Sequence, residues 1–236
     1  MPSSSPCSLS IRRCTVQSRD AAQAAREVHA ALDQPEIKLA VFYCAADMDL
    51  PVLAEGLHRL FGDVNLIGCT TAGEITPQGY LSGTVTGFSL AGRDLDVATR
   101  LIPLDPFDSV ATAGEVSALL DGLGPRDGQP PSAGDTFAFL LIDGLAMQEE
   151  LAVSCMHHHL QGIDLIGGSA ADGTRFGATH LYYQGKFRQK VALLSVLRTG
   201  LPFLAFRTQH FVHSDKRLVI TRSDPLRRIV FEINGK

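Results

Sequence analysis

Two glycine-rich segments carry the polar side chains best placed to bind a small ligand. Residues 68–74 read Gly-Cys-Thr-Thr-Ala-Gly-Glu, and residues 167–173 read Gly-Gly-Ser-Ala-Ala-Asp-Gly. Each follows a short apolar run, and glycine there allows a positive φ or a close backbone approach, so that N–H groups and hydroxyls can bind an anion. Neither segment matches a dinucleotide or phosphate-loop motif. The candidate ligand-binding residues are Thr70, Thr71, Gly73, Gly168, Ser169 and Asp172. The alternative is that both turns serve only to pack the chain.

A second candidate site lies in the segment QHFVH, residues 209–213. His210 and His213 stand among phenylalanines, with Arg207 nearby. On an extended strand, residues three apart face opposite sides, so only one of these histidines can enter a pocket. A histidine in such surroundings can be the axial ligand of a haem, with arginine pairing to the propionates. It can equally be a core histidine whose hydrogen bonds are satisfied within the protein.

Other reactive side chains give weaker indications. Three consecutive histidines, 157–159, point about 100° apart on a helix and cannot all bind one ion, so we expect a solvated helix face. The sequence contains no GxSxG motif and no Cys/His catalytic signature. Asp143, Asp164 and Asp172 stand near strand ends, where α/β enzymes place acids, and they keep an enzyme as a third alternative. We predict a protein that is not an enzyme.

An internal duplication must position these residues. Residues 64–69, VNLIGC, correspond to 163–168, IDLIGG, at an offset of 99 that extends backwards without a gap. His58 then corresponds to His157, which also favours a structural position for the histidine run. The repeat predicts that the two glycine-rich turns face one another or lie at symmetric ends.

The repeat predicts an α/β fold of duplicated helix–strand–helix–strand units that form layered mixed sheets, followed by a C-terminal β-hairpin. Helices are expected over 19–32, with Ser18 as N-cap, and over 106–120, with Asp105 as N-cap. A hairpin is expected within an insertion around 174–186, and another turning at 223–225. The predicted domains are an opening strand and helix (1–34), a duplicated body (35–200, with units of about 9–92 and 94–200) and a terminal segment (201–236). The terminal segment is expected to open with a strand, FLAFRTQHFVHS, at residues 203–214.

Composition narrows the class of protein. The last 51 residues hold 11 Lys and Arg against 3 Asp and Glu, whereas residues 1–185 hold 10 against 22. The basic segment can face an acidic partner, an anionic ligand or the acidic body of the same chain. Five scattered cysteines, no apolar leader and no run of about 18 apolar residues predict a cytoplasmic protein with no membrane partner. With no Trp and only 4 Tyr, we expect no nucleic-acid partner.

The glycine-rich turns and the apolar strands resemble the FIST family of signalling-associated sensor domains. The resemblance rests on LIGCTTAGEI (66–75), GTVTGFSL (83–90), LIGGSAADG (165–173) and VALLSVL (191–197), and it covers about residues 35–220. Residues 218–236 resemble the start of the companion C-terminal domain, so a further domain is expected to follow.

The resemblance implies small-ligand sensing, for which amino acids have been proposed in the family. Its branch of haem-containing nitric-oxide sensors has a similar QHF segment, which implies haem b bound through His210, with Arg207 and His213 close by. Nitric oxide would then be the signal, and a sensor histidine kinase or cyclic-di-GMP enzyme the partner. A homodimer is a further expectation. The alternative is an amino-acid sensor that binds its ligand at the glycine-rich turns.

Overall fold

A computed structural model of the chain describes residues 9–206, 212–225 and 227–236. These residues form two compact units that divide in sequence between Ala205 and Phe206. The first unit contains four helices and two large sheets, and the second contains a single hairpin. None of the helices that the structure describes is long and apolar enough to cross a membrane.

The first unit consists of two copies of one series of elements, which confirms the duplication. The first copy comprises β1 (Ser10–Val16), α1 (Ala21–Leu32), β2 (Ile37–Ala45), α2 (Leu50–Phe61), β3 (Leu66–Thr71), β4 (Glu74–Thr76), β5 (Gly79–Leu81) and β6 (Val85–Ala91). The second comprises β7 (Leu95–Pro103), α3 (Ser109–Leu123), β8 (Thr136–Asp143), α4 (Glu149–His159), β9 (Asp164–Ala170), β10 (Leu181–Tyr183), β11 (Lys186–Arg188) and β12 (Val191–Thr199).

Each copy builds one sheet with the same strand order. The first sheet runs β1-β6-β2-β3 and the second runs β7-β12-β8-β9. In both, the last two strands are parallel and the other neighbours are antiparallel. The copies differ in their hairpins: β10–β11 crosses to the first sheet and pairs with β3, whereas β4–β5 forms a small sheet of its own.

Four layers result from strands that are buried on both faces. In β2, Ala40 and Phe42 pack against the helices of the first copy, whereas Leu39 and Val41 enter a core shared by the two sheets. The second sheet repeats this pattern, because Leu140 packs beneath α3 and α4 while its neighbour Leu141 enters the shared core. Since strand side chains alternate between faces, each sheet lies between a helical layer and the other sheet. The predicted layered α/β fold is therefore confirmed.

Helix starts differ slightly from the predicted ones. Asp20, not Ser18, caps α1 by accepting a hydrogen bond from the Gln23 N–H at 2.7 Å. The third helix begins at Ser109, and Asp108 rather than Asp105 caps it. In both cases a carboxylate closer to the first turn reaches the free N–H groups, and this is the interaction that defines an N-cap.

The second unit contains the predicted C-terminal hairpin, β13 (Ile220–Asp224) and β14 (Ile229–Ile233). Its turn comes later than the predicted 223–225, because Ser223 and Asp224 still pair with β14. A strand was expected to open near Phe203, but residues 203–206 and 212–214 are in no strand. Residues 207–211, which include His210 and Arg207, lie outside the described residues.

Candidate functional site

The two glycine-rich turns meet at the carboxyl ends of the parallel strands. The Ala171 N–H donates to the Thr70 carbonyl at 2.9 Å. Thr70 is fully buried, its N–H donates to the His180 carbonyl at 2.9 Å, and its hydroxyl accepts from the His180 N–H at 3.0 Å. Carboxyl ends of strands are where open α/β sheets bind ligands, because loops diverge there and leave a crevice.

A polar cavity of about 160 Å³ opens where the turns meet, and both copies contribute to its walls. We call it the turn cavity. Its charged lining residues are Arg19, Asp47, Glu74, Asp172 and Arg175, and the predicted residues Thr71 and Gly73 also line it. A cavity this small accommodates the polar head of a small molecule rather than a cofactor.

Glu74 builds the first-copy side of the turn cavity. Its carboxylate is buried and accepts hydrogen bonds from the hydroxyls of Thr71 and Thr84, both at 2.6 Å, and from the Thr84 N–H at 3.3 Å. Gly73 beside it has φ +153°, and a Cβ there would lie 2.1 Å from the Tyr80 hydroxyl oxygen. A side chain at position 73 would therefore displace the exposed ring of Tyr80.

Asp172 builds the second-copy side. Its carboxylate accepts hydrogen bonds from the N–H groups of Phe176, Gly177 and Ala178 at 2.7–3.0 Å. The bonds from Ala178 and Gly177 lower the pKa of Asp172, because they favour the charged form. The same turn carries Arg175, whose Nε–H donates to the Asp172 carbonyl at 3.3 Å. Asp172 thus shapes the loop that brings Arg175 to the cavity.

Asp143 plays the corresponding role inside the second copy. Its buried carboxylate accepts from the Leu145 N–H at 2.9 Å, the Thr179 hydroxyl and the Lys190 N–H. Lys190 precedes β12 as Thr84 precedes β6, so each copy ties the start of its last strand to a buried carboxylate. We call Glu74 and Asp143 the anchoring carboxylates. Their full hydrogen bonding favours a structural role over acid–base catalysis.

An apolar cleft of about 300 Å³ adjoins the turn cavity, and Thr71 lines both. Its walls come from facing sheets: Tyr43 and Cys69 from the first, Phe139 and Leu141 from the second. Burial raises the pKa of the Tyr43 hydroxyl above its usual range and that of the Cys69 thiol to about 12, as expected in an apolar environment. The remaining lining residues are Gly167, Gly168 and Ser169.

The six predicted turn residues therefore separate into three groups. Thr71, Gly73 and Asp172 line the turn cavity, and Gly168 and Ser169 line the apolar cleft. Thr70 is buried, and its polar atoms bond to other parts of the chain instead. The charged cavity residues Arg19, Asp47 and Arg175 were not predicted from the sequence.

These charges lie on loops that the fold brings together. Arg19 precedes the cap of α1, Asp47 follows β2, and the two form an ion pair with an N–O distance of 3.0 Å. Arg175 lies in the ten-residue connection between β9 and β10. Their one sequence signal is a position just outside an apolar strand or helix, which many surface residues share.

Of the segment QHFVH, the structure describes only Val212 and His213. Both are exposed, as are residues 214–223 after them. Within residues 9–206, 212–225 and 227–236, no three His, Cys, Asp or Glu side chains are grouped to hold a metal. His157 and His158 are exposed on α4, as the expected solvated face requires.

The chain matches the model of a known protein family. The model of the FIST N domain family matches residues 38–236, which include both turns and the apolar strands on which the resemblance rests. No curated protein matches the sequence.

Proposed function

This chain belongs to the FIST N domain family, whose domains sense small ligands, and we propose that its own ligand is an amino acid bound in the turn cavity. One observation carries the proposal. Two arginines and an aspartate, Arg19, Arg175 and Asp47, line one small cavity that shares a wall with an apolar cleft. Charges of both signs beside an apolar surface match the three parts of an α-amino acid.

The ligand carboxylate would pair with the guanidinium groups, because arginine presents several N–H donors in a planar fork that suits carboxylates. The ammonium group would pair with Asp47. Glu74 and Asp172 serve less well as ligand-binding groups, because both are buried and hydrogen bonds within the protein engage their carboxylates. Those two acids position the cavity instead. Asp47 also has a partner, Arg19, but both side chains of that ion pair are more than half exposed, so a ligand can take the place of either partner.

The adjoining cleft suggests the side chain of the ligand. A head group in the turn cavity can extend an apolar substituent past Thr71 towards Tyr43, Phe139 and Leu141. Burial of such a group contributes about 1.5–3 kcal/mol for a leucine or phenylalanine side chain. We therefore expect leucine- or phenylalanine-like amino acids to bind more tightly than glycine or aspartate.

Calorimetric titration tests the proposal. Wild-type protein is titrated with leucine, phenylalanine, glycine and aspartate, and with leucinamide, which lacks the carboxylate. Arg175→Ala is expected to weaken leucine binding by about tenfold to a hundredfold, the loss of a charge-assisted contact. Arg93→Ala is the matched control, because Arg93 is 85% exposed and pairs with Glu36 away from the cavity. Equal affinity for leucine and leucinamide, or an unaffected Arg175→Ala variant, would contradict the proposal.

A haem b sensor of nitric oxide is the second candidate, supported by the QHFVH segment and its basic surroundings. His210 would bind the iron, with Arg207 near the propionates and His213 close by. Bound haem would supply an iron that takes up diatomic gas. Haemin titration of wild type, His210→Ala and His213→Ala tests it: we expect a Soret band that only His210→Ala alters. Absence of the band in wild type refutes this candidate.

The output of either sensor would be a change in affinity for a signalling enzyme. We propose a histidine kinase or cyclic-di-GMP enzyme as partner in the cytoplasm. The measurement is the activity of such an enzyme from the same cell with the protein added, with and without ligand. An activity that does not depend on the ligand would exclude that enzyme as the partner.

A further inference from the structure

The β9 strand exposes a segment that is buried in the other copy. Its residues 165–168, Leu-Ile-Gly-Gly, correspond to Leu-Ile-Gly-Cys in β3. Ile67 of β3 is fully buried, whereas Ile166 of β9 is 37% exposed. The cause is the neighbouring strand: β10 pairs with the outer edge of β3, and no strand of the described part of the chain pairs with the outer edge of β9.

The β4–β5 hairpin pairs with neither of the two large sheets. The β4–β5 and β10–β11 hairpins hold the same place in their copies, each has two three-residue strands, and both contain Gln-Gly, at 78–79 and 184–185. The second hairpin places Leu181 opposite Cys69, antiparallel to β3. The first pairs only with itself, and it leaves Ile75 85% and Tyr80 68% exposed. A two-stranded hairpin alone is marginally stable in water.

The connections explain why one hairpin crosses between sheets and the other does not. Ten residues, 171–180, separate β9 from β10 and can span about 30 Å when extended. Two residues, Ala72 and Gly73, separate β3 from β4, and Glu74 then anchors the strand. The β4–β5 hairpin is therefore held beside its own sheet and does not pair with β9 of the same chain.

We propose that the outer edge of β9 pairs with the β4–β5 hairpin of a second copy of this chain, and that the exchange is reciprocal. The β4–β5 hairpin and the outer edge of β9 both adjoin the contact between Thr70 and Ala171. A single two-fold axis can therefore pair the hairpin of each copy with the β9 edge of the other. Residues 75–83 and 165–171 contain no charge, so like-charge repulsion does not oppose the contact. The edge also lacks the lysines and prolines that keep exposed edges apart.

Sedimentation equilibrium of the full chain tests the proposal. Wild type is expected to be a dimer, and Ile166→Lys and Ile75→Lys are each expected to weaken it about tenfold or more, because the two-fold interface buries each new charge twice. Val110→Lys is the matched control: Val110 is 81% exposed on α3, and its substitution should leave the dimer unchanged. A monomeric wild type, or three variants with equal dimer affinity, overturns the proposal.

A cross-linking measurement keeps the test independent of any effect of lysine on folding. In a background with Cys7→Ser and Cys155→Ser, the pair Ile75→Cys and Ser169→Cys should give a disulfide-linked dimer on non-reducing gels. Val110→Cys with Ser169→Cys is the control pair and should remain monomeric on the gel. Equal cross-linking of the two pairs would also overturn the proposal.

Discussion

Removing Asp143 distinguishes an anchoring carboxylate from a catalytic acid. In Asp143→Ala, the Leu145 N–H, the Lys190 N–H and the Thr179 hydroxyl lose their common acceptor. A buried donor left without a partner costs about 1–3 kcal/mol, and water entering the vacated space recovers part of this cost. We therefore expect the free energy of unfolding to fall by about 3–5 kcal/mol, a large share of the 5–15 kcal/mol typical of a whole domain.

Urea unfolding followed by circular dichroism measures this change. Asp143→Asn keeps one acceptor oxygen, so its free energy of unfolding should fall by about half as much as that of Asp143→Ala. Asp164→Ala is the control: Asp164 is exposed at the start of β9, and its replacement should change the free energy of unfolding by less than about 0.5 kcal/mol. A catalytic acid behaves in the opposite way, because its replacement often stabilises the protein. A neutral or stabilising Asp143→Asn substitution would refute the anchoring role and revive the enzyme alternative.

Three further predictions concern stability. Gly167→Ala should lower the free energy of unfolding by more than about 3 kcal/mol, since its Cβ would lie 1.9 Å from a backbone oxygen of β8. In the same assay, Gly168→Ala should lower the free energy of unfolding by less than about 1 kcal/mol, because a Cβ at position 168 has no heavy atom within 4 Å. Gly73→Ala should fall between them, because the atoms it meets belong to an exposed tyrosine side chain that can move. Burial raises the pKa of Asp135, but hydrogen bonds, including one from Arg198, outweigh it and lower the pKa from 3.8 to about 2. The bonds therefore contribute about 1–2 kcal/mol to the free energy of unfolding above pH 4, and this contribution is lost as the carboxylate is protonated between about pH 4 and pH 2. The melting temperatures of wild type and Asp135→Asn should converge over that pH range.

The sequence predicted the architecture well because the duplication is visible in it. Apolar strands recur at a constant offset, and the same order of elements in both copies leads to the same strand order in both sheets. The sheet that β10–β11 joins could not be predicted. That choice depends on a ten-residue connection reaching across to β3, and local sequence does not encode the direction in which a connection runs.

The sequence predicted the part of the site that the two glycine-rich turns form, and not the charged residues around it. Positive φ and close approach require glycine at a few places, so both turns stand out in the sequence. Arg19, Asp47 and Arg175 carry no such signal, because an arginine near the end of an element is an ordinary surface residue until the fold brings a second charge beside it. Asp143 illustrates the converse: a strand-end acid has the sequence signature of a catalytic group, and its hydrogen bonds in the fold indicate an anchoring role instead.

The two anchoring carboxylates explain why the second glycine-rich turn is long and the first is short. In the first copy the carboxylate belongs to the turn itself, as Glu74, so β4 must follow β3 at once. In the second copy it comes from the end of β8, as Asp143, where the first copy has Cys44. The second turn therefore has no anchoring role and can lengthen into the connection that holds Arg175. The position of the residue that anchors the last strand thus accounts for both the crossing hairpin and the contribution of Arg175 to the turn cavity.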